Sequence, residues 1–224
     1  LGQSDPLMRL GALAALRAFP PEARLGLAQP LLKDPLLAVR IEAASLCAGA
    51  PGMEDLPAFR RAAADFERAQ QLNADRPEAR VTLGAFYAQR GRTKEAEAEL
   101  RAAIAMAPGF APAYVNLADV YRAQGRDAEG LTVLDDGLER APQSAPLHYA
   151  RGLALVRLKR MKEALPALER AARLAPGEVR FAYVYAVALN EAGRKREALA
   201  ELDRAIARHP HDAQLLSARQ ALSR

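Results

Sequence analysis

Tryptophan is absent from the 224 residues, aromatic side chains make up only 5%, and cysteine occurs once, at Cys47. A lone thiol forms no internal disulfide and writes neither a CxxC metal pair nor a CxxCH haem-attachment motif. Cys47 lies in the apolar run Ala43-Ala44-Ser45-Leu46-Cys47-Ala48, the setting of a small buried hydrophobe rather than of a nucleophile. No apolar run approaches the roughly 18 residues of a membrane span, so membrane insertion is not expected. An excess of one charge is missing too. The 32 basic residues face 27 acidic ones for a net charge of +5, and the signs alternate along 96–104 and 196–205. A nucleic-acid footprint calls for clustered Lys and Arg with stacking aromatics, whereas interleaved signs describe a solvated helix face. No nucleic-acid partner is expected.

The signatures of chemistry are missing as well. The chain has no Gly-rich phosphate loop, no HExxH and no EF-hand spacing. Of its three histidines, His209 and His211 flank Pro210 and lack a third ligand, which makes a polar turn rather than a metal site. His148 falls in a slot held elsewhere by Arg80 and Tyr114 and reads as a packing residue. Asp135 and Asp136 are neighbours on a helix and point apart, unlike a catalytic pair. The expectation is a protein with no catalytic residues, no metal and no cofactor, hence not an enzyme.

What the sequence does have is a period. Pro108, Pro142, Pro176 and Pro210 recur every 34 residues, and so do Leu100, Leu134, Leu168 and Leu202. Gly91, Gly125 and Gly193 keep the same step, with Lys159 in the remaining slot. A fixed period of this length is the mark of a helical repeat array. Half of the residues are apolar, drawn mainly from Ala and Leu, and with Arg these are good helix formers. The chain is expected to be all-α.

Within each unit a first helix of about twelve residues carries a small residue (Gly84, Ala118, Gly152, Ala186) and, three positions later, a bulky one (Tyr87, Tyr121, Leu155, Leu189). Glycine then suits a left-handed helix end. The second helix offers Ala96, Gly130, Ala164 and Ala198 where helices cross, and Ala103, Gly137, Ala171 and Ala205 where the next unit touches. This pattern resembles the tetratricopeptide repeat over 77–210, as four units at about 77–110, 111–144, 145–178 and 179–212. The resemblance implies an α-solenoid, a right-handed superhelix of antiparallel helix pairs. Arg151 departs from it by placing a charge where Leu83 and Leu117 stand. Lys159 departs by removing a capping glycine, so that turn is expected to take another geometry. Pro166 is expected to fall early enough in its helix that no amide partner is lost. Residues 211–224 read as a capping helix.

Ahead of the array, 53–76 reads as a joining helix, half a repeat that runs from about Leu56 to Asn73 and follows the breaker Ala50-Pro51-Gly52-Met53. Residues 1–52 keep a different register. Asp5-Pro6 and Asp34-Pro35 each place a capping Asp and a Pro at a helix start. A third helical run, from Glu22 to Leu32, opens at Pro20-Pro21 and is disturbed by Pro30. The string from Asp34 to Ala44 resembles a HEAT repeat, in which the Asp caps the helix and an Arg, here Arg40, ties to neighbouring units. The chain opens on Leu1 rather than on methionine, which reads as a piece of a longer protein. The order of segments is similar to the tail of bacterial proteins whose N-terminal half carries haem-binding CxxCH motifs. Such a parent would be periplasmic if it is a secreted cytochrome; otherwise the compartment would be cytoplasmic.

In the tetratricopeptide family peptides bind along the first helices. Carried over by register, that resemblance names Val81, Val115, Tyr149 and Tyr183 in one row. Ala85, Asp119, Leu153 and Val187 lie one turn on, then Arg122, Val156 and Asn190. Arg157 and Arg180 stand at the edge. The implied surface is apolar with two exposed tyrosines, suited to a peptide with hydrophobic anchors and acidic groups. Val81 and Ala85 occupy the positions where chaperone-binding members hold a carboxylate with Lys and Asn, so that partner is not implied. Only Asn116 stands where glycosyltransferase-linked arrays keep an Asn in every unit. The function expected is a protein-interaction scaffold for a protein or peptide partner, with self-assembly into a homo-oligomer through the terminal helix as the alternative.

Overall fold

The prolines that mark the period lie between helices: Pro108, Pro142, Pro176 and Pro210 each occupy a turn in the computed structural model, which describes residues 5–223. Residues 1–4 of the expected N-terminal segment and Arg224 of the expected capping helix lie outside the described residues. Among the described residues there are thirteen α-helices and no strand. None of these helices is long and apolar enough to cross a membrane. The chain divides into two compact units, 1–106 and 107–224.

The first unit comprises α1 (Pro6–Leu16), α2 (Pro21–Ala28), α3 (Leu37–Cys47), α4 (Pro57–Gln71), α5 (Pro77–Gln89) and α6 (Thr93–Met106). Asp5 caps α1 by accepting from the Leu7 amide at 2.9 Å, and Pro6 spends no donor at the first helical position. Pro30 interrupts the third expected run: α2 stops at Ala28 and continues as a tighter 3₁₀ turn, Gln29–Lys33. Asp34 acts differently from the expected helix cap. It accepts from Leu36 N at 2.9 Å in a local turn, and α3 begins only at Leu37. Its carboxylate also meets Arg9 Nε at 2.8 Å, and Arg40 meets Asp65 in the same way at 3.0 Å. Both ties span 25 residues, so α1 and α3 are each joined to the following segment by an Arg–Asp bridge. Further on, Phe66 stacks on Phe86 at 4.1 Å. The Arg90 guanidinium lies 5.2 Å from the Phe86 ring and is gripped by Glu54 and Glu67. The hydrogen bond from Arg90 holds the Glu54 carboxyl below its ordinary range.

The second unit comprises α7 (Ala111–Ala123), α8 (Asp127–Arg140), α9 (Ala145–Arg157), α10 (Met161–Leu174), α11 (Val179–Glu191), α12 (Lys195–Arg208) and α13 (Ala213–Ser223). The helices pack with their sequence neighbours as pairs: α7 on α8, α9 on α10 and α11 on α12. This is the local arrangement of an α-solenoid. Leu117, Leu134, Leu155, Leu168 and Leu189 are essentially removed from water, each worth roughly 2–3 kcal/mol of transfer free energy. Glycine sets the closest approach. A Cβ on Gly152 would stand 2.6 Å from Leu168 Cγ, so only a hydrogen fits between α9 and α10 there.

Two expectations fail here. The turn at Lys159 keeps the glycine geometry: its φ is 59°, beside 72° at Gly125 and 77° at Gly193. The same returning bond follows each of these, Arg126 N to Tyr121 O at 2.9 Å, Arg160 N to Leu155 O at 2.8 Å and Arg194 N to Leu189 O at 2.9 Å. The bonded turn on either side holds the lysine in a left-handed conformation that an L-residue otherwise avoids. Pro166 lies inside α10, five residues past its start at Met161 and beyond the four amides that lack partners. It therefore denies the Lys162 carbonyl a bond; Pro166 itself faces solvent.

One device recurs in both units. The fourth residue of a helix reaches back six residues to a carbonyl in the preceding turn. Arg80 reaches Ala74 O at 2.8 Å, Tyr114 reaches Pro108 O at 2.7 Å, and His148 Nε2 reaches Pro142 O at 2.9 Å. Arg40 to Asp34 O at 2.8 Å and Arg60 to Glu54 O at 3.0 Å follow the same rule. A carbonyl only accepts, so Nε2 is the protonated nitrogen of His148.

Candidate functional site

Helical spacing of i, i+4 and i+7 puts the named positions of each first helix on one stripe. On α5, in the first unit, Val81 and Ala85 are half-buried. In the second unit α7 presents Val115, half-buried, with Asp119 and Arg122 exposed and paired to each other at 3.0 Å. On α9, Leu153 and Val156 are half-buried, and Arg157 is exposed with its Nε 2.7 Å from Asp127 Oδ1. On α11, Tyr183 and Val187 are half-buried while Arg180 and Asn190 are exposed. Leu153, Val156 and Tyr183 rest against the same buried cluster. They form a partly wetted apolar strip with a core beneath it.

Tyr149 does not join that strip. The register predicts an exposed ring, but only 8% of Tyr149 is accessible. Phe181 stacks over it with centroids 4.5 Å apart and planes inclined by 27°. The Arg180 guanidinium lies 5.2 Å from its centroid on top. Phe181 stands where Leu147 and Ala113 stand in earlier units, and comparing that slot across the repeats is the signal that could have revealed the cover. The three arginines of this surface differ as well. Arg122 and Arg157 are each spent on an aspartate, whereas Arg180 forms no ion pair among the described residues.

A second concavity, of about 380 Å³, opens between α10, α11 and α12. Its wall includes Glu169, Arg173, Tyr185, Glu201, Arg204 and Arg208. Tyr185 stands where Leu83, Leu117 and Arg151 stand, a substitution readable in the repeat register but not in any motif. Burial first, then the charge of Glu169, raises its phenol above the ordinary value. Each acid in this cleft already has a cation: Glu169 meets Arg173 at 2.6 Å, and Glu201 meets Arg204 at 2.5 Å. Both carboxylates of the cleft are therefore engaged. Among the described residues no three metal-ligating side chains converge. Arg151 answers its semi-buried position with a bond from Nε to Asp135 Oδ1 of 2.6 Å. Cys47 is fully buried, and burial pushes its thiol up to about 11.

The repeats identify what this architecture is. The tetratricopeptide repeat model matches residues 58–103, 91–154 and 155–222. The structure resembles TTC0263, a thermophilic TPR protein of Thermus thermophilus, with 26% identity and a TM-score of 0.59 over 80% of this chain and 96% of that one. It also resembles YrrB, a TPR protein with an unusual peptide-binding site, at 21% identity and a TM-score of 0.53 over 81% of this chain and 91% of that one. MamA shares the fold at 18% identity and a TM-score of 0.56, over 72% of this chain and 94% of the other. No curated protein sequence matches significantly. With matched repeats running from residue 58 to residue 222, in-phase helix pairs and a bonded turn closing each first helix, the chain belongs to the tetratricopeptide repeat family.

Proposed function

We propose that this chain is a non-catalytic scaffold for protein–protein interaction, and that the first-helix strip of residues 107–224 holds a peptide or partner domain. Members of the family bind proteins and peptides, and both carboxylates of the cleft between α10, α11 and α12 are already paired with arginines. The observation that carries the finer reading is the strip itself: Leu153, Val156 and Tyr183 stay half-exposed over a dry core, Val187 is half-exposed one turn on from Tyr183, and Arg180 on the same helix has no carboxylate of its own. Apolar anchors would cover the strip, and an acidic group would complete Arg180. Asp119, Arg122, Arg157 and Asn190 form a polar margin, and Val115 extends the apolar part on α7. Val81 and Ala85 offer a smaller surface on α5.

The burial of Tyr149 decides how this reading is tested. Tyr149→Ala opens a cavity under Phe181 and costs roughly 3 kcal/mol, so lost binding in that variant would report on folding. Tyr183→Ala and Val187→Asp are the informative changes. Peptides are first selected from a random library against the full chain and their affinities measured by calorimetry. Each variant is expected to weaken the peptides about tenfold or more while circular dichroism shows the protein fully folded at the temperature of the binding assay. Unchanged affinity in both variants would remove this strip from the function.

A further inference from the structure

We infer that residues 26–61 carry a second docking groove, for an acidic peptide segment with apolar anchors, separate from the first-helix strip. Two adjoining hollows, of about 560 and 520 Å³, share Leu32, Lys33, Pro57 and Ala58. Gly26, Pro30 and Leu56 extend the first, and Pro35, Arg40 and Arg61 line the second. Leu32 is almost wholly buried and forms the floor. Leu27, Leu36 and Leu37, each next in sequence to a lining residue or one removed from it, keep 47%, 40% and 49% of their surface exposed. That is a concentration of exposed apolar side chains within one short stretch of sequence, although none of the three lines either hollow. Pro30, Pro35 and Pro57 have no amide hydrogen to lend. An occupant is therefore held by its side chains and not by strand addition.

Charge selects the occupant. The Asp34 carboxylate is spent on Arg9 and on the Leu36 amide, and Arg40 is spent on Asp65. Lys33 and Arg61 are exposed and form no ion pair among the described residues. The groove is thus apolar at its base and positive along its rim, complementary to Asp or Glu flanking Leu or Phe. A nucleic acid would find no ring to stack on, since Phe59 at this end of α4 is fully buried.

The test uses the full chain. Random peptides of about twelve residues are selected on the wild-type protein and counter-selected on a Lys33→Glu/Arg61→Glu variant, and their binding is followed by fluorescence anisotropy. The expected peptides pair two or more acids with a Leu or Phe. Their affinity falls about tenfold in the double variant and falls again between about 50 and 300 mM salt. Ala58→Trp, which sets an indole in the wall that the two hollows share, weakens binding at least tenfold, and Tyr183→Ala leaves it unchanged. The inference is overturned if no acidic–apolar consensus survives counter-selection. It is equally overturned if the selected peptides respond to Tyr183→Ala and not to the charge reversals, or if a labelled poly-U RNA binds here in their place. Failure on the first-helix strip alone leaves this groove standing, and the converse also holds.

Discussion

Replacing Lys159 with glycine is expected to stabilise the protein. The residue sits at φ 59°, between helices α9 and α10, in the turn that glycine fills in the other three units. A left-handed L-residue costs roughly 1–2 kcal/mol relative to a relaxed backbone. Glycine removes that cost but frees the unfolded chain, returning about 0.5–1 kcal/mol. The difference leaves a gain of about 0.5–1 kcal/mol. Nothing offsets it at the side chain, because Lys159 is exposed and forms no ion pair among the described residues. In urea unfolding followed by circular dichroism, the midpoint should rise with an unchanged slope, and Tm should rise by about 1–4 °C. If the chain unfolds in two steps, only the step belonging to residues 107–224 should move. Gly125→Lys supplies the mirror image and should lose a similar amount. A Lys159→Gly protein with an unmoved or lower midpoint would refute the claim that backbone conformation sets the energy of this turn.

Pro166→Ala restores an amide to α10 where the matching positions of α6 and α12 already hold Ala98 and Ala200, and a gain of about 1–3 kcal/mol should appear in the same unfolding curves. Gly152→Ala works the other way. Its Cβ would meet Leu168 Cγ at 2.6 Å and the Leu168 amide nitrogen at 3.3 Å, so a loss of about 1–3 kcal/mol is expected by thermal melting. Cys47 should resist maleimide at neutral pH until the protein is unfolded in urea, as burial dictates. Its thiol ionises near 9.0 when unfolded and only at about 11 when folded, so its contribution to stability is intact below pH 9.0 and lost as pH rises towards 11. Denaturant midpoints measured between those two values would show it.

The repeat unit was legible because its information is size in phase: small residues where helices cross, leucine beneath them, proline in the turn. Such rules are local, and Leu100, Leu134, Leu168 and Leu202 are all buried where they predict. Positions whose environment is set by the next helix were not legible. Tyr149 could be read as a groove residue only while Phe181, 32 residues later, went unnoticed as its cover. Lys159 misled for another reason. Chemical preference suggested a changed turn, but hydrogen bonds on both sides fixed the old one, and the residue took the strain. Asp34 followed by proline suggests a helix cap, but its carboxylate closes a local turn on Leu36 and meets Arg9, and α3 starts only at Leu37, later than the dipeptide implies. The hollows around Pro30 and Pro57 belong to no period at all, and only packing reveals them.

The backward reach from the fourth residue of α3, α4, α5, α7 and α9 has a wider implication. A guanidinium, a phenol and an imidazole all satisfy the equivalent carbonyl, and Ala182 of α11 leaves it without a side-chain donor, so the joint accepts any donor of suitable length or none. Its charge is left open. A duplicated unit can thus change sign, or gain a group that titrates, without disturbing the angle at which its helices leave the turn. Architecture and surface potential become separately adjustable, and an array of near-identical bricks can present a different electrostatic face to every partner.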